Sequence, residues 1–134
     1  MKRREVVTCF LRRPDGKVLL LRRSDRVQTY PGKWAGVSGS FAGEDPETGA
    51  RREILEETGL GPPSVHLARR GDPMRVFDPQ LAAEWIVHPF LFDVAPGAEP
   101  TLNWENEESR WVDPDEIERY PHVPALPETL RKVL

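Results

Sequence analysis

The sequence predicts an α+β fold, a mixed β-sheet with helices packed against it. Three observations carry this expectation. Strand-like apolar runs stand both before and after one long, sharply capped helical segment. The first two runs are joined by a tight-turn sequence, and no repeat or low-complexity tract interrupts the 134 residues. That length suits one modest core, so residues 1–134 read as a single domain. Hydrophobic residues make up 38% and charged residues 31%, a folded composition rather than a disordered one.

Residues 4–12 and 17–23 are rich in Val, Leu and Phe. Pro14-Asp15-Gly16 lies between them, where Pro presets one dihedral and Gly accepts a positive one, so the pair reads as a β-hairpin. Residues 24–36 are polar and carry Gly and Pro, which predicts a loop; a short strand follows at 37–41. The helix is predicted over 46–58. Asp45 suits the N-cap, Pro46 the first helical position, and Gly59 the left-handed residue that ends a helix. Residues 65–70, 75–77, 84–94 and 109–112 read as further strands. Asp113-Pro114-Asp115-Glu116 repeats the cap-then-proline signature, with Glu116 placed to complete a capping box, and a final helix is expected at about 127–133.

The net charge is -3, which offers no global basic field for nucleic acid or an anionic membrane. An anionic substrate has to be attracted locally, by metal ions or a few Arg and Lys side chains. Cys9 is the single cysteine, so no intrachain disulfide forms; it lies in an alternating apolar run and reads as buried packing. No long apolar run follows the basic start and none is long enough to span a bilayer, so the expectation is a cytoplasmic protein without a signal peptide.

The predicted helix has an unusual surface. Glu53, Glu56 and Glu57 stand at i, i+3 and i+4 and crowd one face. Like charges at this spacing repel, by on the order of a few tenths of a kcal/mol per pair, so helix propensity does not explain them. The helix alone leaves two readings open. One is a solvated acidic face partly paired with Arg51 and Arg52. The other is a carboxylate cluster holding hard divalent cations, which take oxygen ligands.

The flanking residues bear on that choice. Gly39, Gly43 and Glu44 precede the helix, and Arg52-Glu53-Ile54-Leu55-Glu56-Glu57-Thr58-Gly59-Leu60 ends it. Seven residues separate Glu44 from Arg52. The stretch 38–60 resembles the Nudix box, G-x5-E-x7-R-E-U-x-E-E-x-G-U with U a bulky apolar residue, and Ile54 and Leu60 fill both U positions. One position departs: the box opens on Ser38 rather than Gly, with Gly39 next to it to supply backbone freedom.

The resemblance to Nudix hydrolases implies an α/β/α sandwich and a Mg²⁺-dependent enzyme, with Mn²⁺ as a substitute, that cleaves a pyrophosphate bond in a nucleotide-type small molecule. It implies Glu53, Glu56 and Glu57 as metal ligands, with Glu53 also a candidate for activating water. Arg52 would orient a box carboxylate, Glu56 in this reading. Glu44 would be a loop carboxylate capping or orienting the site, and Gly49 and Ala50 would let that loop pack close. Many members use a later acidic residue, and Glu108, three before Trp111, best matches that position. Trp34 and Gly39 are the candidate substrate contacts, with Trp85 and Trp104 as further candidates for stacking a base. Arg22, Arg23, Arg26, Arg69, Arg70 and Arg75 are candidates for phosphate, and His66, His88 and His122 show no metal-ligand spacing.

Size and architecture favour a MutT-like nucleotide pyrophosphatase, with an ADP-ribose or dinucleoside-polyphosphate pyrophosphatase as an alternative whose signatures after the box are not matched. Arg75 stands where ADP-ribose pyrophosphatases tend to have Pro, and Val76-Phe77-Asp78 where dinucleoside-polyphosphate hydrolases tend to have Tyr. The competing reading is a non-catalytic Nudix-fold module that senses a nucleotide or binds a partner, whose mark is loss of box glutamates; none is lost here. An RNA-end pyrophosphatase lacks the basic stripe it needs. No membrane or stable nucleic-acid partner is expected, and the protein reads as a monomer or homodimer.

Overall fold

The computed structural model describes residues 2–134. In chain order they form β1 (Lys2–Arg12), β2 (Val18–Arg23), β3 (Trp34–Ala35), β4 (Val37–Ser40), α1 (Pro46–Thr58), β5 (Val65–Arg70), β6 (Met74–Asp78), β7 (Ala83–Val94), β8 (Asn106–Val112), a 3-10 helix (Pro114–Arg119) and α2 (Leu126–Arg131). The eight strands join one mixed sheet, and the fold is an α+β sandwich. β7 runs parallel to β1 along its length, while β4 pairs antiparallel with β1, β5 and β6 with β7, and β8 and β3 with β2.

Both faces of the sheet are covered, and strand alternation assigns each residue to one of them. Val7, Cys9 and Leu11 of β1, Leu19 and Leu21 of β2, and Phe90 and Phe92 of β7 pack with Ala50 and Ile54 of α1. Phe10, Val18, Leu20, Leu91 and Val112 face the other way and pack with Ile117, Leu126 and Leu130. Burying a side chain the size of Ile54 contributes roughly 1.5–3 kcal/mol, so each layer is held by several such terms.

The α1 boundaries follow the sequence signals. Asp45 accepts from the Glu47 N–H at 3.0 Å, Pro46 opens the helix, and Gly59 takes φ 73° and donates its N–H to the Leu55 carbonyl. Elsewhere the structure corrects the expectations. The predicted hairpin pairs only at Arg12 and Val18, because β1 continues beside β4 and β7 while β2 continues beside β3 and β8. The loop at 24–36 ends in β3. Asp113 makes no side-chain cap, and the segment after it closes as a 3-10 helix rather than an α-helix. β8 starts at Asn106, with an irregular register where it passes the end of β2. Among the described residues no helix is long and apolar enough to cross a membrane.

Candidate active site

The three glutamates of α1 do not share one environment. Glu53 and Glu57, one turn apart, point inward and are buried, whereas Glu56 is exposed at the rim. Arg52 holds the loop to the helix: it bonds Glu44, reaches Glu53 Oε2 at 3.3 Å, and donates to the Ser40 carbonyl at 3.2 Å. Glu56 Oε1 lies 4.0 Å from its Nε, so the principal partner of Arg52 is Glu44 rather than the expected Glu56. The loop reaches back far enough for this because Gly49 lets it approach; a side chain there would press on Phe41 Cβ at 3.1 Å.

Glu57 is the electrostatic centre. It is 3% exposed, Oε1 accepts from Asn106 Nδ2 at 3.1 Å, and Oε2 is buried without any partner. Burial, then the negative charge of Glu105, push its carboxyl up to about 9. Glu53 is raised in the same direction, by burial and then by Glu56. Cys9 lies beneath them, and its thiol is raised first by burial and then by Glu57 and Glu53. Two buried carboxylates, one with an orphaned oxygen, form an oxygen-only donor set, and a buried polar atom left unpartnered is costly. A hard divalent cation fits these residues. No three acidic, His or Cys side chains among the described residues are already gathered into a cage, so Glu56 would have to turn inward to join Glu53 and Glu57.

Gly39 sits directly against Glu53: a side chain at this position would land on the Glu53 carboxyl group. Its value is close approach rather than backbone freedom, since its φ is not positive. Ser38, opposite Thr8 in the β1–β4 pairing, also has no positive φ. A serine therefore fits there without strain.

The second acidic segment differs from expectation. Glu108 ion-pairs with Arg22 at 3.5 Å and Arg110 at 3.0 Å on the sheet face opposite α1, the face of Val112. Trp111 packs on the α1 face with Ile54. Strand alternation puts Trp111 on the α1 face and Glu108 on the other, so the residue matched by its spacing from Trp111 points away from Glu53 and Glu57. The register shift across Asn106–Glu108 turns Asn106 toward Glu57, and it is Glu105 whose charge reaches both Glu57 and Glu53.

Beside these carboxylates lies a cavity of about 480 Å³. Its floor follows strand alternation: Arg4, Val6 and Thr8 of β1, Ser38 and Ser40 of β4, Val76 and Asp78 of β6, and Trp85 and Val87 of β7. Gly39 and Glu105 also line it, and so join it to the acidic pair. Trp85 and Trp104 line it too. Trp34 does not: it is 5% exposed and packs edge-on to Tyr120 at 5.3 Å, as a core residue. Of the candidate phosphate arginines, Arg23 and Arg26 line the cavity; Arg22 faces Glu107 and Glu108, Arg69 bonds the Leu134 carbonyl, and Arg70 lies over Phe90. Arg23 is held by Thr29 through two bonds of 2.8 Å. His88 pairs with Glu5 at 3.0 Å and packs against Phe41.

The family model of the NUDIX domain matches residues 2–133. The chain belongs to the Nudix family. This Nudix hydrolase is 37% identical over 128 residues to an octanoyltransferase of Myxococcus xanthus; the match covers 90% of this chain but 33% of that protein, so the chain spans about a third of its length. It is 30% identical over 136 residues to nucleoside triphosphatase NudI of Escherichia coli, with 96% of each chain covered. In three dimensions it resembles the crystal structure of a MutT protein from Methanosarcina mazei Go1, with a TM-score of 0.79, 26% identity, and 97% of this chain and 91% of that chain covered.

Three site features of this Nudix hydrolase escape sequence reasoning. Asn106 contacts Glu57 across 49 positions, which no local pattern announces. Glu105 had a visible signal, the acidic run at 105–108, but its choice over Glu108 depends on the β8 register. Tyr30 and Asp78, bonded to each other at the cavity wall, stand 48 positions apart in segments that read as loop and strand end.

Proposed function

We propose that this Nudix hydrolase cleaves a pyrophosphate bond in a nucleoside triphosphate or another nucleoside diphosphate-linked substrate, using Mg²⁺ with Mn²⁺ as a substitute. The observation that carries the reading is Glu57, a buried carboxylate with an unpartnered oxygen, beside a cavity of nucleotide size. Glu53, Glu56 and Glu57 would hold the metal. When bound, the metal would neutralise the phosphate charge and lower the pKa of a bound water.

The chain's own residues account for the remaining requirements. Glu53, whose carboxyl is raised by burial and then by Glu56, would be the base that takes the proton of the attacking water. Arg52 orients Glu53 and ties Glu44 to the helix, which keeps the loop over the site. Glu105 adds negative charge beside Glu57, which would help to hold a cation there. Arg23 and Arg26, on the cavity wall, are placed to meet phosphate, Arg23 on the side of Glu57 and Glu105, and Trp85, Tyr30 and Trp104 would meet the base. All the box glutamates are present, which favours an enzyme over a sensing module. The relative named as a nucleoside triphosphatase, aligned end to end, supports triphosphates as the first class to test.

The test is a panel of nucleoside triphosphates, ADP-ribose and a dinucleoside polyphosphate with Mg²⁺, products separated by ion-exchange chromatography. The expected result is conversion of at least one triphosphate to a monophosphate plus pyrophosphate. Turnover of ADP-ribose or the dinucleotide alone would contradict the triphosphate assignment, and turnover of none would contradict the reading as a whole.

A further inference from the structure

We propose that Asp78 is a positioning residue that fixes Tyr30 and Trp85 as the seat for the planar base of the nucleotide; this rests on the nucleotide reading above and names the residues that recognise its organic end. Asp78 is 2% exposed, yet it stands at the cavity wall, at the end of β6. Its two oxygens do different work. Oδ1 accepts from the backbone N–H groups of Gln80 at 3.1 Å and Leu81 at 3.2 Å, which closes the turn into β7. Oδ2 accepts from the Tyr30 hydroxyl and from Trp85 Nε1 at 3.4 Å. One buried carboxylate oxygen therefore fastens the polar edges of two aromatic rings, both of which line the cavity.

The arrangement is tied down beyond what the turn requires. Tyr30 has φ 50°, a left-handed conformation that a residue with a side chain adopts at a cost. The loop bearing it is anchored on the other side by Arg23, through the Thr29 carbonyl and hydroxyl. Burial pushes the Asp78 carboxyl upward, but its donors, Tyr30 foremost, outweigh burial and hold it below its ordinary value. The Tyr30 hydroxyl is pushed up to about 12, first by burial and then by Asp78, so it remains a donor at any working pH. Locked aromatic walls cost a flat ligand little ordering on binding. Trp104 provides the contrast: it is 54% exposed at the cavity edge, with Arg26 over its ring as its contact. Arg4 lies 5.8 Å over the Trp85 ring and is exposed, a cover that a stacking base displaces.

Tyr30→Phe is the clean probe, because it removes the ring clamp and leaves the turn bonds of Asp78 intact; Asp78→Asn is the second variant. Binding of the α,β-methylene analogues of ATP, GTP, CTP and UTP is measured by calorimetry with Mg²⁺, with inorganic tripolyphosphate as the base-free control. Both variants are expected to weaken the best-bound analogue by tenfold or more and to flatten the preference among bases, while tripolyphosphate affinity stays within twofold. If Asp78→Asn does not fold, Tyr30→Phe decides alone. Equal analogue affinity in wild type and Tyr30→Phe would overturn the seat, as would a parallel loss of analogue and tripolyphosphate. A wild type that binds tripolyphosphate but none of the four analogues would overturn the nucleotide reading, and the seat with it.

Discussion

Asn106 donates its side-chain amide to one oxygen of Glu57 at 3.1 Å and leaves the other oxygen buried and unpartnered. The contact orients the carboxylate without satisfying it. A buried group left half-bonded costs stability, on the order of 1–3 kcal/mol and more if charged, unless a ligand completes it.

Glu57→Gln therefore separates function from stability. It keeps shape and loses the charged ligand, so kcat should fall by about 10² or more. The metal-free protein should fold at least as stably as wild type, because a neutral amide replaces a group that resists ionisation. Kinetics at saturating metal and a thermal melt in chelator check the two halves.

Stability of the metal-free protein should depend on pH in an uncommon direction for a carboxylate. The folded state holds the Glu57 proton up to about 9, whereas the unfolded chain releases it in the ordinary glutamate range. The unfolded state binds fewer protons in between, so this contribution is complete below roughly pH 4 and is lost as pH rises toward 9. In chelator, the difference in melting temperature between Glu57→Gln and wild type should widen from pH 5 to pH 8.5. A constant difference would contradict the burial account.

Glu105 and Glu108 should behave differently although three positions separate them. Glu105→Gln removes a charge that acts on Glu57 and Glu53, so half-maximal activation should need about tenfold more Mg²⁺. Glu108→Gln breaks surface pairs with Arg22 and Arg110 and should change stability by no more than about 1 kcal/mol, with little effect on Mg²⁺ activation. Metal titrations of the two variants give the comparison.

Gly39 and Ser38 make a second contrasting pair. Gly39→Ala places a methyl on the Glu53 carboxyl and should lower kcat by about 10². Ser38→Gly, at a position without positive φ, should change it by less than about tenfold, or about 1.4 kcal/mol. Initial rates at saturating substrate suffice.

Much of this was legible along the chain. Asp45, Pro46 and Gly59 bound α1 because capping is local chemistry, read within a few residues. The spacing of Glu44, Arg52, Glu53, Glu56 and Glu57 was readable for the same reason, since one helix and its loop carry them all, although the structure brings Glu53 and Glu57 inward and leaves Glu56 at the rim. What failed required the sheet. Trp34 reads as a loop residue that could contact substrate until β3 pairs with β2 and buries it against Tyr120. Glu108 reads as the later acidic residue of the site until the β8 register sets it beside Arg22 on the face away from α1. Gly39 reads as a flexible hinge until Glu53 is seen lying against it.

The most direct measurement is turnover by metal-stripped protein. The wild type is dialysed against EDTA, assayed with the best triphosphate of the panel, and then titrated with Mg²⁺ and with Mn²⁺. Activity should vanish in chelator and return with either ion, and the Glu57→Gln variant should stay low at every metal concentration. Full turnover in EDTA, or an unchanged kcat in Glu57→Gln at saturating metal, would contradict the assignment of the acidic pair as the metal-dependent centre.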